Sequence, residues 1–379
     1  MEREERVTPL ELFFDLVFVF AITQVTGFLA DDPTWGGLLR GMLVLAALWW
    51  AWTAYAWLTN TVNPDEGAVR LAMLGGMAAM LVVALAVPQA FGDDGVIFAL
   101  AYMAVRVLHL VLYALAAKGD PDLLGAVARL ASTATLGPAV LVAAGFLDGT
   151  DRVVAWIVAL TADFIGPAII GAGRGWRVHP NHFAERHGLI IIIALGESIV
   201  ALGVGATSIE LDLGVVVAAA LGIVVVSGLW WLYFDVAAIL AQRRLAAASG
   251  VAQARMARDA YSYLHFPMVA GIVLFALGLK TTLAHVGDPL ATIPAVALCG
   301  GVALYLFGHI GFLLRTTHRL FRRRSLAGCA LLALLPAATV LPALASLALT
   351  AAICVGVVAF EAIRHREHRA LVRHPELAA

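Results

Sequence analysis

Read from the amino terminus, the chain alternates long apolar blocks with short polar breaks. Gly, Pro and Asp punctuate about twelve such blocks, near 9–30, 36–60, 68–91, 95–117, 122–146, 152–172, 188–208, 212–238, 260–284, 291–314, 325–342 and 344–363. A helix rises about 1.5 Å per residue, so runs of about 20 apolar residues match a hydrocarbon core ~30 Å thick. The pattern predicts an all-α, polytopic helical membrane protein with about 12 transmembrane helices. The eleventh block is the weakest, because Pro336 and Pro342 fall within it and proline interrupts helical hydrogen bonding.

Composition agrees. The 379 residues are 62% hydrophobic and 13% charged, with a mean hydropathy of +0.91, which excludes an ordinary soluble domain. The opening "MEREERVTPLELFF" carries both signs of charge and no small-residue cleavage site, so no signal peptide is expected. Cys299, Cys329 and Cys354 lie in apolar stretches without CxxC or Cys/His spacing, so they read as core residues. No P-loop, GxSxG, HExxH or GxGxxG in strand–helix context is present. No cofactor, metal or nucleic-acid partner is therefore expected. The expected partners are the lipid bilayer and a small ion or small molecule, and a homo-oligomer is compatible with the pattern.

Charge matters through its distribution. The breaks "ADDPTW", "GDDG", "TSIELD" and "AHVGDP" lack Lys and Arg, apart from Lys280 beside the last. The alternate breaks hold Arg174, Arg177 and Arg186, then Arg243, Arg244, Arg255 and Arg258, then Arg315, Arg319 and Arg322 to Arg324. The tail adds Arg364, Arg366, Arg369 and Arg373. Lys and Arg collect on the cytoplasmic side, so an even number of spans with both termini cytoplasmic is expected.

Sliding one half over the other reveals an internal similarity. "GMAAMLVVALAV" (Gly76–Val87) lines up with "MVAGIVLFALGL" (Met268–Leu279), His109 falls opposite His309, and Glu11 falls opposite Glu185. The growing offset is absorbed by the basic, helical-looking stretch around Ala246–Arg258. This predicts two parallel six-helix halves within one membrane domain, residues 1–178 and 179–379, with a pathway between them.

Charges within spans cost roughly 2.5–3.5 kcal/mol at the bilayer centre, so they usually face a partner or a cavity. Arg106, Asp163 and Glu197 fall near mid-depth, and Asp15 lies about a third of the way in. Arg106 and His109 share a helix face. Pairing Arg106 with Asp163 or Glu197 leaves one carboxylate for a proton or cation, and a purely structural ion pair is the alternative. Glu11 and Asp15 are one turn apart. Glu11 suits a cap at the positive end of a helix dipole, whereas Asp15 is too deep for that role.

The segment "HPNHFAERHGLIIIIALGESI" sets His179, His182, Glu185, Arg186 and His187 before the seventh block. Its spacing matches no strong zinc pattern. A solvated helix start, with Glu185 and Arg186 as cap and anchor, is expected. "WWAWTAYAW" (Trp49–Trp57) and "LWWLYF" (Leu229–Phe234) read as interfacial or packing residues.

Three stretches, "TPLELFFDLVFVFAITQVT" (Thr8–Thr26), "HFAERHGLIIIIALGESIVALG" (His182–Gly203) and "YSYLHFPMVAGIVLFALGL" (Tyr261–Leu279), resemble the bacterial low-temperature-requirement A family of multi-pass membrane proteins. The resemblance spans most of the chain. It implies the cytoplasmic (inner) membrane of a bacterium and singles out Glu11, Phe14, Asp15 and Gln24. It also picks His182, Glu185, Arg186, Gly196, Glu197 and Ser198, and later His265 and Pro267. The family is named for growth in the cold, so the resemblance implies architecture rather than a reaction. "FFDLVFVFAIT" is also similar to the first-helix FSD motif of a six-span potassium-channel family. Here Pro9 and Phe14 replace an Arg and the Ser central to that motif.

These features favour a proton- or cation-coupled transporter of unknown substrate. Asp15 and Glu197, with Asp163, are its coupling candidates. Arg106, His109, His265 and His309 are candidate counter-ions or substrate ligands. A cation channel lined by the first and seventh spans is the alternative, as is an intramembrane enzyme or scaffold using His109, His265 and His309. No catalytic residue is nominated, and an enzyme is the less favoured class.

Overall fold

The computed structural model describes residues 6–64, 66–170, 175–206, 210–364 and 366–373; Arg174 lies outside them. The secondary structure is helical, with no β-strand among the described residues. The helices are α1 (Pro9–Asp31), α2 (Trp35–Thr59), α3 (Gly67–Ala86), α4 (Gly95–Ala116), α5 (Pro121–Ala144), α6 (Gly149–Ile170), α7 (Pro180–Ala206) and α8 (Leu213–Phe234). They continue as α9 (Ala237–Ala247), α10 (Gly250–Met256), α11 (His265–Ala284), α12 (Thr292–Ala295), α13 (Gly301–Thr317), α14 (Arg322–Ala338), α15 (Ala343–Arg364) and α16 (Arg366–Arg373). π-helical turns, Ala257–Tyr263 and Val296–Gly300, join α10 to α11 and α12 to α13.

Eleven helical stretches among the described residues are long and apolar enough to cross a membrane. The eleventh predicted block, 325–342, is the helix α14, which has 17 residues, starts at Arg322 and ends at Ala338 with Pro336 inside it. The seventh span also begins earlier than expected, at Pro180, so the His-rich segment is the first turns of α7.

The chain divides into two compact units, one of residues up to Asp32, Gly36–Arg186 and Ala248–Arg258, the other of Pro33–Trp35, His187–Ala247 and Asp259 onward. The dividing line on α7 falls between Arg186 and His187. In the first unit α1 packs on α3, α3 on α4, α4 on α5 and α5 on α6. Aromatic side chains of α2 tie these together. Trp50 stacks on Phe164 of α6 at 4.4 Å, and Tyr55 stacks on Phe14 of α1 at 4.7 Å. The Tyr55 hydroxyl donates to the Val105 carbonyl of α4 at 3.1 Å. Of the two readings of the tryptophan run, packing holds at Trp49, Trp50 and Trp52, which are buried.

In the second unit α11 and α13 approach to backbone contact, α8 packs on α15, and α14 packs on both α13 and α15. Glycine permits the closest approach. A Cβ on Gly271 would sit 2.5 Å from the Gly301 carbonyl oxygen, and one on Gly301 would sit 2.7 Å from the Gly271 carbonyl oxygen. Small residues let membrane helices close together and gain dispersion contacts. Gly271→Val should therefore lower stability by about 1–3 kcal/mol, seen as a lower melting temperature in detergent. Gly356→Ala, where a Cβ meets nothing within 4 Å, should melt like the parent. Around both units large apolar side chains stay exposed, among them Leu71, Leu85, Ile169, Val216 and Leu349. In a membrane protein this is the surface that acyl chains cover.

Candidate functional site

The start of α1 is built by its own sequence. Thr8 is the N-cap, and its hydroxyl oxygen accepts from the Glu11 amide at 3.3 Å while Glu11 Oε2 accepts from the Thr8 amide at 2.9 Å. This reciprocal capping box satisfies two free N–H groups, and Pro9 suits the first helical position. Glu11 thus caps, as its position predicted. It does more, because His182 Nε2 lies 3.0 Å from Oε1 and Arg186 Nη1 lies 3.7 Å away.

The state of His182 follows from its neighbours. The His179 amide donates to Asn60 Oδ1 at 2.7 Å, which turns the Asn60 NH2 group toward His182 Nδ1 at 3.1 Å. An amide NH2 can only donate, so Nδ1 accepts. His182 Nε2 then carries the hydrogen that Glu11 accepts, and the imidazole is neutral.

One turn deeper, Asp15 Oδ1 accepts from Trp52 Nε1 at 2.9 Å and from Arg186 Nη2 at 3.0 Å. Its other oxygen, Oδ2, is buried and accepts no hydrogen bond among the described residues. Glu11, Asp15 and Arg186 are all at most 1% exposed. Two carboxylates therefore share one guanidinium beside a neutral imidazole. The expected solvated helix start is corrected at Arg186, which is fully buried; Glu185 remains exposed and accepts from the Val7 amide at 3.3 Å. α7 begins early enough to carry Arg186 inward, to Asp15.

Arg106 and Asp163 pair, with Arg106 Nη2 3.3 Å from Asp163 Oδ1 and both side chains buried. The Tyr102 hydroxyl donates to Asp163 Oδ2 at 3.2 Å, and Arg106 Nη1 donates to the Trp50 carbonyl at 3.4 Å. Gly137 of α5 makes room, since a Cβ there would lie 2.8 Å from the Asp163 carboxyl carbon. Here one cation meets one anion. His109, on the same face as Arg106, lies against Tyr55 at 5.9 Å and edge-on to Tyr113 at 5.0 Å. Phe14 is buried on Tyr55, and Gln24 is half-buried on α1.

Glu197 and Ser198 are buried on the part of α7 that belongs to the second unit. In the same unit His265 Nδ1 donates to the Ala260 carbonyl in the π turn at 3.0 Å. Its Nε2 must then accept from the Tyr233 hydroxyl, at 2.8 Å. His309 faces Tyr233 at 5.9 Å, and its Nδ1 accepts from Arg324 Nη1 at 3.0 Å. Arg324, expected in a basic loop, is 5% exposed and forks onto both oxygens of Glu361 at 2.9 and 2.7 Å. Among the described residues no group of three His, Cys, Asp or Glu side chains is placed to hold a metal.

Sequence reasoning missed Trp52 and Asn60, which look like packing and loop residues and act through partners 37 and about 120 positions away. It also missed Tyr102 and Tyr233, whose spacing carries no signal of the acid or base they bond.

The family model for bacterial low temperature requirement A protein (LtrA) matches residues 6–359. An uncharacterized protein of Rhizobium meliloti (strain 1021) is 34% identical over 309 residues, covering 79% of this chain and 75% of the relative. No solved structure matches.

Proposed function

The chain belongs to the bacterial low temperature requirement A family of membrane proteins, and from that premise we propose that it is a proton- or cation-coupled transporter of a small solute. The observation that carries this is the excess carboxylate at the head of α1. Glu11 is served by Thr8 and His182, whereas Asp15 receives both its donors on Oδ1 and leaves Oδ2 without one. A buried charge in excess of its partners is costly. A proton or a small cation at Asp15 removes that excess, and its arrival or departure changes the pull on Arg186. That is the elementary requirement for coupling ion movement to a conformational change.

Asp163 is the weaker coupling candidate, since Arg106 already neutralises it. Glu197 remains a candidate in the second unit. The parallel repeat is supported by a shared motif. Each unit sets a histidine of its fourth long helix beside a tyrosine of its second, Tyr55–His109 and Tyr233–His309, both at 5.9 Å and tilted by 41° and 36°. We place the basic face, and with it both termini, on the cytoplasmic side of a bacterial inner membrane. The test is flux in proteoliposomes under imposed proton, sodium and potassium gradients. Saturable, gradient-driven flux supports a transporter. Unitary currents that need no proton gradient would replace it with the channel, and silence under every gradient would sink both.

A further inference from the structure

The second unit holds a cavity of about 420 Å³ that the coupling site does not use. Its walls bring together six arginines, Arg244, Arg319, Arg322, Arg323, Arg324 and Arg369, against two carboxylates, Asp235 and Glu361. Both carboxylates are taken. Glu361 receives the fork of Arg324, and Asp235 receives Arg369 Nη2 at 2.8 Å together with its Nε. Arg323 lies 4.0 Å over the Phe360 ring, which orients a guanidinium without neutralising it. Arg244, Arg319 and Arg322 are exposed and make no ion pair among the described residues. Several guanidiniums with no counter-charge therefore line one concavity.

Two further observations specify the ligand. Arg322 opens α14, and its N-cap, Phe321, provides no capping oxygen. The positive end of a 17-residue helix thus adds to the arginines that line the same space. The remaining wall is apolar, with Trp231, Leu240, Leu313, Leu320 and Phe360. Planar guanidinium forks suit phosphate oxygens, and an apolar wall suits the chain that carries a phosphate.

We propose that this cavity binds a phosphate group, held by Arg319, Arg322 and Arg244, with an anionic phospholipid headgroup or free phosphate as its source. Basic pockets beside membrane helices are suited to lipid phosphates. Arg324 and Arg369, locked on their carboxylates, shape the cavity rather than bind. The cavity shares no residue with the Asp15 site, so its failure would leave the coupling proposal untouched.

The test is native mass spectrometry of the full chain in detergent, titrated with phosphatidylglycerol, with phosphatidylcholine, and with inorganic phosphate alone and as a competitor. Phosphatidylglycerol should be retained in preference to phosphatidylcholine. Arg319→Gln/Arg322→Gln should weaken it about tenfold or more, with an unchanged melting temperature. Arg244→Gln should weaken it less, and Arg255→Gln, outside the cavity, not at all. Retention that millimolar phosphate does not displace identifies the lipid as the source. Phosphate that binds by itself with the same arginine dependence identifies the free anion. Equal retention of both lipids without phosphate binding, or a double variant that binds like the parent, would overturn the proposal.

Discussion

Arg186→Gln removes about 3–5 kcal/mol of stability, the cost of stranding buried charge without its partner. The guanidinium is the one cation within reach of both Glu11 and Asp15 among the described residues, at 3.7 and 3.0 Å, and none of the three reaches water. Gln can still donate to one carboxylate but cannot balance either. Glu11 retains His182 and Thr8, so most of the loss falls on Asp15. Adding Asp15→Asn should therefore restore much of the stability lost in Arg186→Gln, because the neutral amide keeps an oxygen for Trp52. Thermal melting of the single and double variants in detergent checks this. A single variant as stable as the parent would mean that Arg186 is not the counter-charge of the site.

The Arg106–Asp163 pair is expected to behave as a lock. Arg106→Gln and Asp163→Asn should each cost several kcal/mol, about 3–5 by the same reasoning. The double variant should recover at least half of that, since removing both members of a buried pair leaves no charge unpaired. The Tyr102 hydroxyl can still donate to the amide oxygen that Asp163→Asn leaves in place of the carboxylate. The readout that separates lock from pathway is flux. A folded double variant should transport like the parent, whereas one that melts normally and fails to transport would return Asp163 to the ion path.

Much of the architecture was legible because it depends on composition and period. Apolar runs long enough to cross a bilayer can hardly be anything else in a chain this poor in charge. Only the end of the eleventh block was illegible, because hydropathy persists through Pro336 to 342 while the helix stops at Ala338. The π turns before α11 and α13 left no trace in the apolar pattern, although one of them presents Ala260 to His265.

The polar sites were legible in a different degree. The shared face of Arg106 and His109 follows from a separation of three, and the cap at Glu11 follows from a carboxylate in the first turn of its helix. The partner of Asp15 does not follow from anything local, because Arg186 is 171 positions away. Arg186 also sits among histidines beside a basic break, where a solvated residue would look the same. Cost identified the expensive residues; only the packing of α1, α2 and α7 shows which charges meet.

The most direct measurement is solute-coupled proton or cation flux in proteoliposomes, comparing the parent with Asp15→Asn at matched reconstitution and melting temperature. If Asp15 holds the coupling ion, flux in Asp15→Asn falls to the level of protein-free liposomes. Undiminished, gradient-driven flux in a folded Asp15→Asn protein would contradict it.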